Sequence, residues 1–126
     1  MNLGAFVRGA FAVIASYILF AVPGAAIFAL TGHEPHAPAS VVYMALTTLW
    51  GMAFAFSSGY LAALIGGEVA RKAPAVLGGL IAFGAILTML VTPAGGARWS
   101  PIAAALFMAP SAVLGGMLRR RHKTLA

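Results

Sequence analysis

His33, Glu34 and His36 are the one cluster in this chain with the residue types of a metal site. Two imidazoles three residues apart could share an ion if the loop formed a helical turn. Pro35 stands between them and no third or fourth ligand follows nearby, so the segment reads as a solvated loop. No histidine falls inside an apolar run, which removes axial haem ligation at membrane depth. Ser57 and Ser58 form a hydroxyl pair, but no histidine lies at their depth to activate them. The nearest base in sequence, Glu68, is about 15 Å farther along a helix rising 1.5 Å per residue. Cysteine is absent, which excludes disulfides, thiolate metal sites, Fe–S clusters and thiol redox chemistry. The expectation is a non-enzyme with no catalytic residue, no metal ligand and no cofactor.

The two acids, Glu34 and Glu68, both stand at the ends of apolar runs. A proton-coupled transporter needs a titratable group within its pathway. That argues against the small multidrug exporters, which have four spans at this length but depend on an acid in the first. Fluoride channels are of similar size, but their Asn and Thr/Ser-rich motifs are missing. Hydroxyls at Ser16, Thr47, Thr48, Ser57, Ser58 and Thr88 could line a narrow path for an uncharged or weakly polar solute. The alternative use of each is a bond to the carbonyl four residues back.

The elements that hold these residues follow from composition. The chain has 126 residues, 62% hydrophobic and 8% charged, whereas soluble domains carry about 25% charged residues. Crossing roughly 30 Å of hydrocarbon takes about 20 apolar residues. Four segments qualify, at about Gly9–Thr31, Val41–Gly67, Ala73–Thr92 and Pro101–Leu118. They are apolar all round rather than alternating, so helices are expected and a barrel is not. The fold class is therefore all-α, a single four-helix transmembrane domain over residues 1–126. The first apolar stretch is longer than a signal-peptide core of 7–15 residues and is read as retained.

Prolines and hydroxyls mark the boundaries. Pro35 and Pro38 break the chain after the first span, and Ser40 can cap the second. Pro74 falls in the first turn of the third span. Ser100 and Pro101 have the cap-then-proline order of a helix start. Pro23 and Pro110 lie inside spans, where each removes an i→i−4 bond and is expected to kink its helix, as a bend for packing or as a hinge.

Seven of the eight Lys and Arg residues fall on one side of this scheme: Arg8, Arg71, Lys72, Arg119, Arg120, Arg121 and Lys123. Only Arg98 falls on the other. Basic flanks mark the cytoplasmic side, which predicts both termini inside and the loops 32–40 and 93–100 outside. Tyr43 and Trp99 then sit at the outer boundary. The net charge of +6 lies at the ends of apolar runs, so its partner is an anionic headgroup layer and no nucleic acid is needed.

The strongest pattern is a ladder of small residues on the second span. Thr47, Gly51, Ala55, Gly59, Ala63 and Gly67 recur every four residues, and Ser58, Ala62 and Gly66 widen the face. Lipid is as apolar as leucine, so helices associate in membranes by close van der Waals approach, which needs small side chains. The second span is thus expected at the centre of the bundle or at a subunit interface, and a Gly-lined permeation path is the other use of such a face. The third span has a weaker series in Gly78, Ala82, Gly84 and Thr88. The fourth has weaker versions in Ser111/Gly115 and Ala112/Gly116.

Ala62-Ala63-Leu64-Ile65-Gly66-Gly67 before Arg71-Lys72 is matched by Ser111-Ala112-Val113-Leu114-Gly115-Gly116 before Arg119-Arg120-Arg121. Both segments end a span on the basic side, as a repeat of two helical hairpins would, but the first and third spans do not match at the same offset, and low complexity alone is the other source of such a likeness. The stretch Gly59–Gly67, with Leu77-Gly78 beyond it, and the ending Ala109-Pro110 to Leu118-Arg119 resemble a group of small bacterial four-span membrane proteins. That group has no assigned activity. Many members carry a histidine at the start of the third span, where this chain has Ala73 and Pro74, so no role tied to that histidine transfers. The resemblance implies a bacterial inner membrane. The ladder, with no buried charge, metal cluster or nucleophile beside it, leads to a scaffold or accessory subunit that works through the second span as a homo-oligomer or in a larger membrane complex, with a small channel or transporter for an uncharged or weakly polar solute as the alternative.

Overall fold

The computed structural model describes residues 2–34, 37–68, 70–92 and 96–125, with side chains as far as Arg121. No strand occurs among them, and the helices follow from identifiable signals. α1 spans Leu3–Thr31 and opens on Asn2, whose side chain accepts the Ala5 amide at 2.7 Å. The helix thus begins ahead of the Gly9 boundary expected from apolarity, because a polar cap starts it and Arg8 rides on it. It closes on Gly32 at φ 67°, with the His33 amide reaching back to the Phe28 carbonyl at 3.1 Å. That left-handed residue followed by a six-residue return bond is the glycine C-cap. Helix assignment continues unbroken through Pro23.

α2 spans Val41–Gly66, with the Ser40 hydroxyl accepting the Tyr43 amide at 3.1 Å. α3 spans Ala73–Val91 and carries Pro74 in its first turn. The last crossing is composite. α4, Trp99–Ala103, passes through a π-helical stretch, Ala104–Met108, into α5, Ala109–Leu125. Ser100 does not cap it: Arg98 holds the cap position and no side-chain bond forms there. The π stretch ends two residues before Pro110, which has no N–H to give to the Leu106 carbonyl. A locally widened turn, with the Ala109 amide on the Ala104 carbonyl, is one way a helix accommodates that loss.

Among the described residues, four helices are long and apolar enough to cross a membrane: α1, α2, α3 and the composite Trp99–Arg121. Their exposed faces carry Phe11, Ile18, Val22, Phe83 and Leu90, each more than half exposed, a surface suited to lipid and not to water. α2 packs against α1, α3 and α5, and α3 likewise reaches all its neighbours. Among the described residues the α1 backbone makes no close approach to α4 or α5, although the Phe28 ring meets Trp99 of α4 at 5.9 Å between centroids. The interior is built from small side chains. Ala12, Ala55, Ala62 and Ala112 are fully buried, and Leu77 is the largest side chain among the fully buried residues.

Candidate functional site

The α2 ladder forms the central seam. Thr47, Gly51, Ala55, Ser58, Gly59, Ala62, Ala63 and Gly66 are all buried. The seam faces within the chain, toward the last crossing. Gly51 lies against the Met108 side chain, and Gly59 lies against the backbone carbonyl of Ala112. These pairs advance together along both helices, so α2 and α5 are parallel neighbours. A Cβ at Gly59 would fall inside the Ala112 carbonyl group. One at Gly115 would fall inside the Phe56 carbonyl, and one at Gly116 would run into the Pro74 ring. Gly115 and Gly116 therefore wedge α5 between α2 and α3. They hold approaches as tight as those of α2, although their spacing in sequence is the weaker signal. Gly67 departs from the ladder: it is half-buried at φ 56° and closes α2 instead of continuing its face.

The hydroxyls of the expected polar path mostly bond to their own helices. Thr47 donates to Tyr43, Ser57 to Ala53, Ser58 to Phe54 and Thr88 to Gly84, each through the carbonyl four residues back. Thr47 and Thr88 border two different crevices. One, of about 270 Å³, lies between α1 and the last crossing beside Trp50 and Gly51. The other, of about 440 Å³, adds Tyr17 and Thr88. Phe20, Ser100 and Ala104 line both. Ser58 is fully buried and lines neither. Ser16 is also fully buried, and its hydroxyl finds no partner.

Aromatic rings close the end where α1 and α2 are joined. His33 stacks on Tyr43 with centroids 4.4 Å apart, and Trp99 meets both rings edge-on. The Trp99 indole donates to the Ala37 carbonyl at 3.0 Å, bridging the last crossing to that loop. Deeper in, the Trp50 indole donates to the Pro23 carbonyl at 2.9 Å, which ties α2 to α1. His33 is thus part of an aromatic cluster, while Pro35 and His36 lie outside the described residues. Among the described residues no group of three His, Cys, Asp or Glu side chains converges.

The opposite end is basic. Arg8, Arg71, Arg119 and Arg120 line one cavity of about 180 Å³ with Glu68 and Gly67. Arg8 crosses from α1 to donate through Nε to the Ile65 carbonyl at the end of α2. Arg119 lies over the Tyr60 ring, 5.9 Å from its centroid. Lys72 borders a separate apolar groove between α1 and α3, Arg121 is exposed, and the side chain of Lys123 lies outside the described residues.

No family model, curated protein or solved structure matches this chain. Its function has to be argued from the geometry.

The small-residue period and the basic clusters are visible in the sequence, but the contacts that depend on tertiary approach are not. Nothing local marks Arg8 as the partner of Ile65, 57 residues away. Trp50 and Trp99 carried a general signal, since an indole N–H held away from water seeks an acceptor, but not the identity of that acceptor.

Proposed function

We propose that the chain is a non-enzymatic scaffold or accessory subunit of a bacterial inner membrane, with both termini in the cytoplasm, working as a homo-oligomer or within a larger membrane complex. The observation that carries this reading is the sparse packing of α1. Only 11% of its apolar window is buried inside the bundle, against 39% for the last crossing. Its buried residues are Ala5, Ala12, Val13 and Ser16, in a helix of 29 residues. A helix with so little of its surface buried keeps most of its outer face open to a neighbour, and in lipid such faces associate by close packing. The α2 ladder is occupied within the chain, so the surface offered to a neighbour is the outer face of α1. The test is crosslinking in native membranes from single cysteines at Ile14, Ile18 or Val22. A covalent adduct with a second copy or another membrane protein is expected. A chain that stays strictly monomeric and captures no partner sinks the proposal.

A small pathway for an uncharged or weakly polar solute is the second reading, favoured by the two crevices that share Phe20, Ser100 and Ala104. Phe20→Ala would join them. If that variant leaves solute flux into vesicles at the level of empty liposomes, the pathway reading fails.

A further inference from the structure

The basic end has a feature that topology alone does not require: its arginines, drawn from three separate segments, converge on one cavity. Arg8 comes from α1, Arg71 from the turn between α2 and α3, and Arg119 and Arg120 from α5. Cations that serve only to mark an orientation can spread into solvent, where repulsion between them is least. Here four guanidinium groups and one carboxylate border about 180 Å³, which leaves three positive charges in excess.

Two of the arginines are held in place by groups that do not neutralise them. The Nε of Arg8 is committed to the Ile65 carbonyl, which leaves the four N–H donors of its terminal nitrogens for other use. Gly67 makes room for this: a Cβ there would stand 3.1 Å from Nη2 of Arg8. Arg119 is steadied over Tyr60, an attraction to the ring face that preserves its charge. Arg71 is paired with Glu68 at 3.5 Å, both largely exposed, so that pair contributes little by itself.

We propose that this cavity is a binding site for a phosphate-bearing anion, with a phosphodiester lipid headgroup and free phosphate as its two possible sources. Planar guanidinium forks match pairs of phosphate oxygens, and the excess charge is of the sign that such an anion relieves. The site lies where α1 begins and where α2 and the last crossing end, which is the depth of a headgroup. This inference does not rest on the scaffold reading.

The test uses the full chain purified in neutral detergent, with its thermal midpoint followed against three probes. They are inorganic phosphate, phosphatidylglycerol and phosphatidylcholine, with chloride at matched ionic strength as the control for the free ion. A rise with phosphatidylglycerol but with neither phosphate nor phosphatidylcholine assigns the site to a lipid headgroup. A rise with inorganic phosphate beyond chloride assigns it to the free ion. No rise with either overturns the proposal. Arg8→Gln and Arg119→Gln are each expected to weaken the effective anion about fivefold, the share of one cation at an anionic surface. Arg121→Gln, exposed and outside the cavity, is expected to change affinity less. Equal losses at Arg119 and Arg121 would mean diffuse surface attraction and would overturn the site. Should the arginine variants not fold, Glu68→Gln decides: removing the one carboxylate must tighten binding, and an unchanged affinity defeats the proposal.

Discussion

At the scale of single residues, the decisive quantity is the space a side chain would meet. Gly59 has none, because a Cβ there would overlap the Ala112 carbonyl, a backbone group that cannot rotate away. Gly79 has nothing within 4 Å of the same construction. Gly59→Leu is therefore expected to disrupt the bundle far more than Leu61→Ala, since Leu61 is only half-buried at the rim. Overpacking a tight site costs about 1–3 kcal/mol, and more where backbone must move. Gly79→Ala should be neutral or stabilising by up to about 1 kcal/mol, from helix propensity. Thermal midpoints in mild detergent check all three, and greater damage from Leu61→Ala would mean that α2 is rotated from this assignment. Ser16 makes a separate prediction. Its hydroxyl is fully buried and unpartnered, and such a group costs about 1–3 kcal/mol to leave unsatisfied. Ser16→Ala should raise the thermal midpoint. A drop would mean that the hydroxyl has an acceptor after all.

At the scale of helices, how much the sequence discloses depends on how local the cause is. Ser40 caps α2 where a hydroxyl before an apolar run says it should, and Pro74 falls in the first turn of α3. The start of α1 is misplaced by an apolarity argument, because Asn2 and not the hydropathy edge decides it. Ser100-Pro101 looks like a cap followed by N1, yet the helix has already begun at Trp99. The ladder on α2 is legible because a four-residue period of small side chains puts them on one face, where close helix packing can use them. The contribution of Gly115 and Gly116 is harder to see, since two adjacent glycines face two different neighbours. No sequence feature announces that α1 and α5 stay apart. That separation carries its own prediction. The α1 backbone approaches only α2 and α3, with Phe28 touching Trp99 of α4 through its ring, so it should be the helix that detaches most readily. In hydrogen exchange in detergent, amides on the Ala12–Phe20 stretch of α1 should exchange before those on the Ala55–Ala63 stretch of α2. Simultaneous exchange would show that α1 is held by contacts that this bundle does not contain.

At the scale of the whole molecule, the described residues hold four helices long and apolar enough to cross a membrane, and four crossings would place both ends of the chain on one side. The proposed cytoplasmic side rests on the charges. Arg8, Arg71, Arg119, Arg120 and Arg121 all lie at one end of the bundle, as basic flanks retained inside require. The lone arginine at the other end has a different employment. Arg98 donates through Nη2 to the Thr92 carbonyl at 3.1 Å and reaches toward Met89, so it closes the carboxyl end of α3. A cation that satisfies terminal carbonyls of a helix has a structural reason to be there, and its presence does not weaken the bias of the other seven. Reporter fusions after Arg71 and after Lys123 should therefore both report cytoplasm, and a fusion near Pro38 should report the exterior. Arg98→Gln sharpens the comparison. It removes the contacts that cap α3 and should cost about 0.5–1.5 kcal/mol of stability, seen as a lower thermal midpoint, while every fusion keeps its side. If Arg98→Gln instead changed the sidedness of the fusions, orientation would depend on that single residue. The charge-bias reading of this chain would then be wrong.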